Sequence, residues 1–487
     1  VQSPVAQNAV TADHQKDEIM NQLARTTPSA PSNVLPDNAF RTVADLVREH
    51  AQDRPTQLAL VQDDTTLTYA ALNTLMDRVA AALQRDGVRP GETIALCGAS
   101  SPLQAALFLG ALRAGVVVAP LAASVTRASF ASMLQDAQAR LLFVDASVAA
   151  LLPTDTLAIC VALEANAPGL ALDQWLAAPG VMPEPVAIKP EAPFNIIYSS
   201  GTTGTPKGIV QSHGMRWIQV VRGAKYGYGL DTVALLATPL YSNTTLVVFF
   251  PTLAFGGTVV LMAKFDAADY LAQAQAFRVT HTMLVPVQFQ RILALASFGE
   301  YDLSSFQFKF CTSAPFPSAH KADALARWPG GLVEFYGMTE GGGTCILEAH
   351  LNATKLHTVG RPAEGHDIRL IDDNGHEVAA AEAGEVVGHS ASMMIGYHGQ
   401  PEMTREAEWF APDGKRFFRT GDIGRFDADG FLTLFDRKKD MIISGGFNIY
   451  PSDLEAQLLR HPSVADAAVV GVPFIQWGET PIAFVVR

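Results

Sequence analysis

Residues 194–208 read FNIIYSSGTTGTPKG. The opening FNIIY is an apolar run that suits a buried strand. The YSSGTTGTPKG that follows, Tyr198–Gly208, packs glycines, small hydroxyl residues and one lysine together. Glycine lets the backbone approach an anion closely and adopt positive φ. Successive N–H groups and hydroxyls can then ring phosphate oxygens, and Lys207 adds a charge. By composition alone the stretch also fits a surface loop rich in Ser, Thr and Gly. It is not a Walker A loop, because Pro206 precedes Lys207 and Gly208 follows it, where that motif needs Gly before the lysine and Ser or Thr after it.

The sequence around this stretch supports an α/β architecture. Leu72, Leu75, Met76, Val79 and Leu83 keep helical spacing, and Gly87 sits where a C-terminal cap glycine belongs. Thr93–Cys97 predicts a buried strand. Leu103, Ala106, Leu107 and Leu109 predict a helix ending before Gly115, and Val116–Val118 and Leu141–Val144 predict further strands. Such alternation indicates mostly parallel sheets layered with helices. Leu246–Ala263 is uncharged, but Pro251 and Gly256-Gly257 interrupt it. A buried helix, a turn and a buried strand fit it better than a membrane span.

The chain has 487 residues, 48% of them hydrophobic and 17% charged, which predicts a globular protein of more than one domain. Its net charge of −13 argues against a general nucleic-acid binder. The cysteines Cys97, Cys160, Cys311 and Cys345 are widely spaced and form no CxxC or Cys/His cluster. Reduced thiols in a cytoplasmic protein are the expectation, not disulfides or zinc. Residues 1–38 lack a sustained apolar period and an apolar signal core, and read as a disordered tail. From about Gly384 short β-like runs alternate with Gly-Asp turns. Pro451–His461 then predicts a helix and Asp466–Val472 a strand.

The loop Tyr198–Gly208 resembles the signature of the adenylate-forming superfamily, in particular its acyl-CoA and 4-coumarate–CoA ligases. Further stretches follow in the family's order, so the resemblance runs from about Phe40 to Arg487. It implies a large N-terminal α/β domain over residues 39–436, built of layered subdomains with a small β-barrel. A small α+β C-terminal domain, of which 437–487 is the start, would follow a hinge at Lys439. Ser199, Ser200, Gly201, Thr202, Thr203, Gly204 and Lys207 would bind ATP phosphates. EFYGMTEGGG, Glu334–Gly343, resembles the adenine and magnesium segment. It implies nucleotide contacts at Glu334, Phe335, Tyr336 and Gly337, with Tyr336 stacked on adenine, Thr339 at the α-phosphate and Glu340 on Mg²⁺. Lys207, Thr339 and Glu340 would be the catalytic residues. Without the motif, Glu340 reads as a solvated carboxylate.

FRTGD, Phe418–Asp422, resembles the ribose-binding segment, with Asp422 accepting from the ribose hydroxyls. DRKKDMIISGG, Asp436–Gly446, resembles the interdomain stretch. There Arg437 would touch nucleotide, and Ser444, Gly445 and Gly446 would flank the coenzyme A passage. CTSAP, Cys311–Pro315, would place Thr312 at the acid pocket and Ser313 and Ala314 near the nucleotide. TPLYSNTTL, Thr238–Leu246, would line the acid pocket through Tyr241, Ser242 and Asn243, joined by Gly341 and Gly342. The sequence departs from the family in carrying Ser242 and Asn243 where a histidine or aromatic is frequent, and Asp436 where glycine usually stands. It also stops at Arg487, before the family's Gly-Lys segment, whose lysine bridges carboxylate and α-phosphate. Either the natural chain continues, or it lacks that lysine. His213 reads as a structural histidine, since no nucleophile–base pair lies beside it in sequence.

The resemblance implies an ATP- and Mg²⁺-dependent acid–CoA ligase, with a small carboxylic acid, ATP and coenzyme A as its ligands. No charged residue stands in the pocket segment, which points to an uncharged acid tail, aromatic or medium-chain aliphatic. The glycines Gly341–Gly343 are expected to leave room for it. Loading of a carrier protein and non-catalytic nucleotide or acyl binding are the alternatives, and a homodimer is left open.

Overall fold

The computed structural model describes residues 39–153, 159–199, 206–444, 447–474 and 477–487. The tail expected over residues 1–38 lies outside these. The described chain forms two compact units. One runs to Val333 and takes in Ser392–Thr404; the other holds Glu334–Ala391 and Arg405–Arg487.

In the first unit an eight-stranded sheet runs in the order Gly396–Tyr397, Lys207–Ser212, Pro193–Ser199, Val117–Leu121, Thr93–Cys97, Leu141–Val144, Ile159–Ala162 and Leu170–Ala171. Its middle is parallel, Thr93–Cys97 pairing in parallel with both Val117–Leu121 and Leu141–Val144. Those strands are buried throughout, which explains their unbroken apolar runs. A second parallel array orders Leu58–Gln62, Thr258–Leu261, Val233–Leu236, His281–Leu284 and Phe308–Cys311.

The predicted helices form with their expected signals. Tyr69–Arg85 starts on Thr68, whose side chain accepts from the Ala71 N–H, and buries Leu72, Met76, Val79 and Leu83. Gly87 lies just beyond it at φ 72°, a conformation only glycine adopts without strain. Pro102–Arg113 has Ser101 as its cap and Pro102 in its first turn, and buries nearly its whole circumference. The uncharged stretch from Leu246 resolves into the helix Asn243–Ala254 and the strand Thr258–Leu261. Among the described residues no helix is long and apolar enough to cross a membrane.

A buried ion pair ties two of these helices together. Asp77 Oδ1 accepts from Arg113 Nη1 at 2.7 Å, and Arg113 also donates to the carbonyls of Asn73 and Ala44. Both side chains are buried.

The second unit is mostly antiparallel. Its five-stranded sheet runs Asp367–Ile371, Gly384–His389, Arg416–Phe426, Glu408–Phe410, with Leu432–Arg437 also paired to Arg416–Phe426. This is the β-rich texture read from Gly384 onward, and its core holds Ile371, Val387, Trp409 and Phe417. A four-stranded sheet of Phe447–Ile449, Ile442–Ser444, Gly478–Val486 and Asp466–Phe474 follows, with the helix Pro451–Leu458. The whole is the mixed α/β fold that the strand and helix pattern implies.

Removing Asp77 strands a buried guanidinium. Asp77→Ala is expected to lower stability by about 3–5 kcal/mol in urea unfolding. The double change Asp77→Ala, Arg113→Met should recover part of that loss; no recovery would show that the ion pair is not the cause.

Candidate functional site

Both feet of the Tyr198–Gly208 loop are strand residues. Pro193–Ser199 and Lys207–Ser212 are antiparallel neighbours, and Ser199 sits directly opposite Lys207. The ladder therefore sets where the loop leaves and returns. Ser200, Gly201, Thr202, Thr203 and Gly204 lie outside the described residues. Lys207 keeps its ammonium 5.4 Å from the Tyr397 ring centre. Behind the loop, the Tyr198 hydroxyl donates to Asp136 Oδ2 at 2.6 Å, and His398 Nδ1 lies 3.7 Å from the same oxygen. Burial and this carboxylate push the Tyr198 hydroxyl upward. Burial alone would raise Asp136, but His398 and Tyr198 outweigh it and hold its carboxyl low. The carboxylate in turn raises His398.

His213 is buried and edge-on to Phe194, with ring centres 4.8 Å apart. Burial lowers its pKa to about 4, so it is neutral near pH 7. Tyr241, Ser242 and Asn243 are half-buried where the helix Asn243–Ala254 begins. Thr312 is half-buried, whereas Ser313 and Ala314 are exposed. Ser313 adopts φ 80°, unusual for a residue with a side chain, and its Oγ lies 2.6 Å from Thr244 Oγ1. That contact joins the CTSAP loop to the TPLYSNTTL segment, two of the stretches assigned to the acid pocket.

In the second unit the Tyr336 hydroxyl donates to Asp422 Oδ2 at 2.8 Å, and Arg437 Nε stands 3.6 Å from Asp422 Oδ1. Asp422 and Arg437 face each other across an antiparallel ladder. Burial pushes the Asp422 carboxyl above its ordinary range, against the pull of Tyr336 and Arg437. Burial and Asp422 also drive the Tyr336 hydroxyl well up. Three residues from separate sequence stretches thus form one cluster.

Glu334 is buried in the strand Gly331–Gly337; Phe335 is half-buried and Gly337 exposed. Thr339 and Glu340 are half-buried in the turn closed by the Gly341 N–H on the Met338 carbonyl at 2.9 Å. Lys439 is half exposed, 3.9 Å from Asp440. Ser444 pairs with Phe447 across a short ladder; Gly445 and Gly446 lie outside the described residues.

One expectation is corrected. Gly342 and Gly343 do not hold open space. A Cβ at Gly342 would meet Phe418 Cβ at 2.7 Å, and one at Gly343 would meet Ile368 Cδ1 at 2.3 Å. The unit's own packing has taken up the volume that these glycines free.

Sequence reasoning also passed over a buried polar group. Arg216 donates to Gln211, Asn195 and Gln219, and it is buried together with Gln211 and Asn195. These residues are separated in sequence and belong to no motif, so no local signal marks them.

The comparisons agree with this geometry. Residues 47–398 match the AMP-binding enzyme family, and residues 453–487 match the AMP-binding enzyme C-terminal domain. The chain is 35% identical over 448 residues to feruloyl-CoA synthase from an Amycolatopsis species, covering 90% of this chain and 87% of that one. It is 31% identical over 462 residues to the fatty acid–[acyl-carrier-protein] ligase ScoC of Streptomyces coeruleorubidus, covering 92% and 87%. The solved structure of o-succinylbenzoate CoA synthetase (MenE) from Bacillus subtilis, in complex with its acyl-adenylate intermediate, matches with a TM-score of 0.79 at 26% identity, over 92% of this chain and 88% of that one. The chain belongs to the AMP-binding enzyme family, in its acyl-CoA synthetase branch. It is an ATP-dependent acid–thiol ligase.

Asp422 offers a test in which function and stability move oppositely. The burden of an ionised buried carboxylate is absent below the pKa of a free aspartate and complete above the raised folded value. Asp422→Asn keeps an acceptor for Tyr336 and removes that burden. Without nucleotide, its melting temperature should exceed wild type at pH 7.5, with the gap closing towards pH 4. Nucleotide affinity should fall about tenfold or more by calorimetry, as expected for a lost charge-assisted hydrogen bond. A variant melting below wild type at pH 7.5 would contradict the assigned strain.

Proposed function

We propose that this enzyme is an acid–CoA ligase that activates an acid with an uncharged aromatic or medium-chain aliphatic tail. The observation that carries this reading is the Tyr336–Asp422–Arg437 cluster, which gathers an aromatic face, a half-buried acceptor and a cation for one nucleotide. The substrate carboxylate attacks the α-phosphorus of ATP and pyrophosphate leaves. The coenzyme A thiol then attacks the acyl carbon and AMP leaves. Neither step needs a covalent enzyme intermediate, so positioning and charge stabilisation carry the catalysis.

Each side chain has a limited task. Ser199 and Lys207, with the loop between them, bind the outer phosphates, and the Lys207 charge offsets theirs. Tyr336 stacks on adenine, Asp422 accepts from the ribose, Arg437 and Thr339 approach the phosphate side, and Lys439 is the hinge between residues 39–436 and 437–487. Ser444 borders the thiol's approach. Glu340 suits Mg²⁺, a hard cation that prefers one or two carboxylates and phosphate oxygens over an all-protein cage. Among the described residues no group of three or more His, Cys, Asp or Glu forms such a cage. When bound, Mg²⁺ would neutralise charge on the phosphates.

The uncharged tail follows from the pocket segments: Tyr241, Ser242, Asn243 and Thr312 offer hydroxyls and one amide, but no fixed charge. A charged tail desolvated against them would lack a partner. Cys97, Cys160, Cys311 and Cys345 are joined in no disulfide among the described residues, and the setting assigned to the enzyme is a reducing, cytoplasmic one. The similarity to ScoC favours one second reading, in which a carrier-protein thiol replaces coenzyme A.

Two measurements test the proposal. Lys207→Ala should lower kcat/KM for ATP about tenfold to a hundredfold, the equivalent of one charge-assisted contact; unchanged ATP kinetics would remove Lys207 from the site. Acid-dependent pyrophosphate release should favour benzoates, cinnamates or medium-chain fatty acids over malonate and amino acids. Thioester formed only with a phosphopantetheinylated carrier, and none with free coenzyme A, would decide for the second reading.

A further inference from the structure

The helix His213–Gly223 carries Arg216, only 1% exposed, against the rings of Phe194 and Phe250, each centred 5.7 Å from its guanidinium carbon. Among the described residues no carboxylate pairs with it. Burial lowers its pKa to about 9, which still leaves it charged near neutral pH. Its partners are side-chain amide oxygens: Gln219 Oε1 at 2.9 Å, Asn195 Oδ1 at 3.3 Å, and Gln211 Oε1 in a short contact.

A guanidinium can only donate. The Gln211 atom against it must therefore be the oxygen, which leaves the Gln211 amide nitrogen for the other side. That nitrogen faces Asn243 Oδ1 at 3.5 Å. Gln211 is fully buried, so its amide has no solvent to turn into. The donor–acceptor sense thus passes from a permanent donor, through Gln211, to Asn243. Asn243 Oδ1 is engaged as an acceptor, and its Nδ2 meets no partner among the described residues. Asn243 is half-buried at the start of its helix, on the segment assigned to the acid pocket.

We propose that the chain Arg216–Gln211–Asn243 turns the Asn243 amide so that its N–H donors face the acid pocket, and that it thereby selects acids whose uncharged tail carries a hydrogen-bond acceptor oxygen, such as an ether or a ketone. The inference rests on the reading of Asn243 as a residue of the acid pocket, and narrows it. Arg216 and Gln211 are positioning residues; Asn243 is the group that meets the substrate. The preference has a physical basis in satisfaction. An acid without an acceptor leaves a half-buried N–H unpaired, whereas one with an acceptor completes it.

The variant Gln211→Glu tests the direction of the chain. One carboxylate oxygen still accepts from Arg216, now as an ion pair, so the buried cation remains compensated. The second oxygen, ionised, can only accept. Asn243 must then turn its Nδ2 towards position 211 and show Oδ1 to the pocket. Acid-dependent pyrophosphate release by the full chain is measured with para-methoxycinnamate against para-ethylcinnamate, and with a methyl-ketone-terminated octanoate against octanoate. Ratios within each pair cancel any general loss of activity. Wild type should favour the oxygenated acid of at least one pair by about fivefold to tenfold in kcat/KM, the size of one neutral hydrogen bond. In Gln211→Glu that ratio should fall to about one or below. Asn243→Leu, which leaves the contacts of Arg216 with Gln211 and Asn195 in place, should bring it to about one as well.

A wild-type ratio near one in both pairs, or a preference that survives Gln211→Glu, would overturn the inference. Equal losses on both members of a pair in Asn243→Leu would overturn it too, placing Asn243 at the common carboxylate. Wild-type enzyme inactive on all four acids would instead overturn the reading of an aromatic or medium-chain acid on which the inference stands.

Discussion

The antiparallel pairing of Ser199 with Lys207 is the constraint on which the first unit's chemistry depends. The ladder holds Ser199 and Lys207, so the positions of both flanks of the proposed phosphate loop are set before any ligand arrives. The clamp is itself braced. Lys207–Ser212 also pairs with Gly396–Tyr397, the backbone N–H of His398 bonds the Gly208 carbonyl at 2.7 Å, and Asp136 links the Tyr198 hydroxyl to His398. Residues from distant parts of the chain thus converge on the two strand ends at Ser199 and Lys207.

The second unit works by a different balance. Asp422 is held in a place that disfavours its charge, and the interactions around it, a hydroxyl and a partly exposed guanidinium, only partly offset this. Such a residue is poorly chosen for stability and well chosen for accepting hydrogen bonds, since a desolvated carboxylate has the most to gain from a donor. By contrast Glu385, which is more deeply buried, is matched by Arg419 at 3.0 Å and Lys438 at 3.2 Å. The difference separates a carboxylate that holds the sheet together from one available to a ligand.

Buried polar groups show the same division in the first unit. Asp77 and Arg113 satisfy each other and serve packing. Among the described residues Arg216 has only neutral acceptors, so its charge is spent on orienting amides instead of closing an ion pair. Lys309 is a further case. Its ammonium donates to the carbonyls of Trp328, Pro329 and Gly330, just beyond the helix Ser318–Arg327, and burial lowers its pKa to about 7. A cation at a helix C-terminus meets the partial negative charge there.

What the sequence by itself determined is local and periodic. Thr93–Cys97 and Leu141–Val144 were legible as strands because burial on both faces demands unbroken apolar runs. The helix Tyr69–Arg85 was legible from its spacing and from Gly87, and the motif residues from their order along the chain. Tertiary structure decided what depends on which distant residues meet. Gly342 and Gly343 looked like open space, because a missing side chain says nothing about what fills its place; Phe418 and Ile368 do. Tyr336, Asp422 and Arg437 carried separate expectations, yet only the sheet made them one hydrogen-bonded cluster, and only burial raised the Asp422 carboxyl. The Arg216–Gln211–Asn243 chain left no trace in sequence. Only Asn243 lies in a motif, and the sense of each amide is set by a donor that folding alone brings beside it.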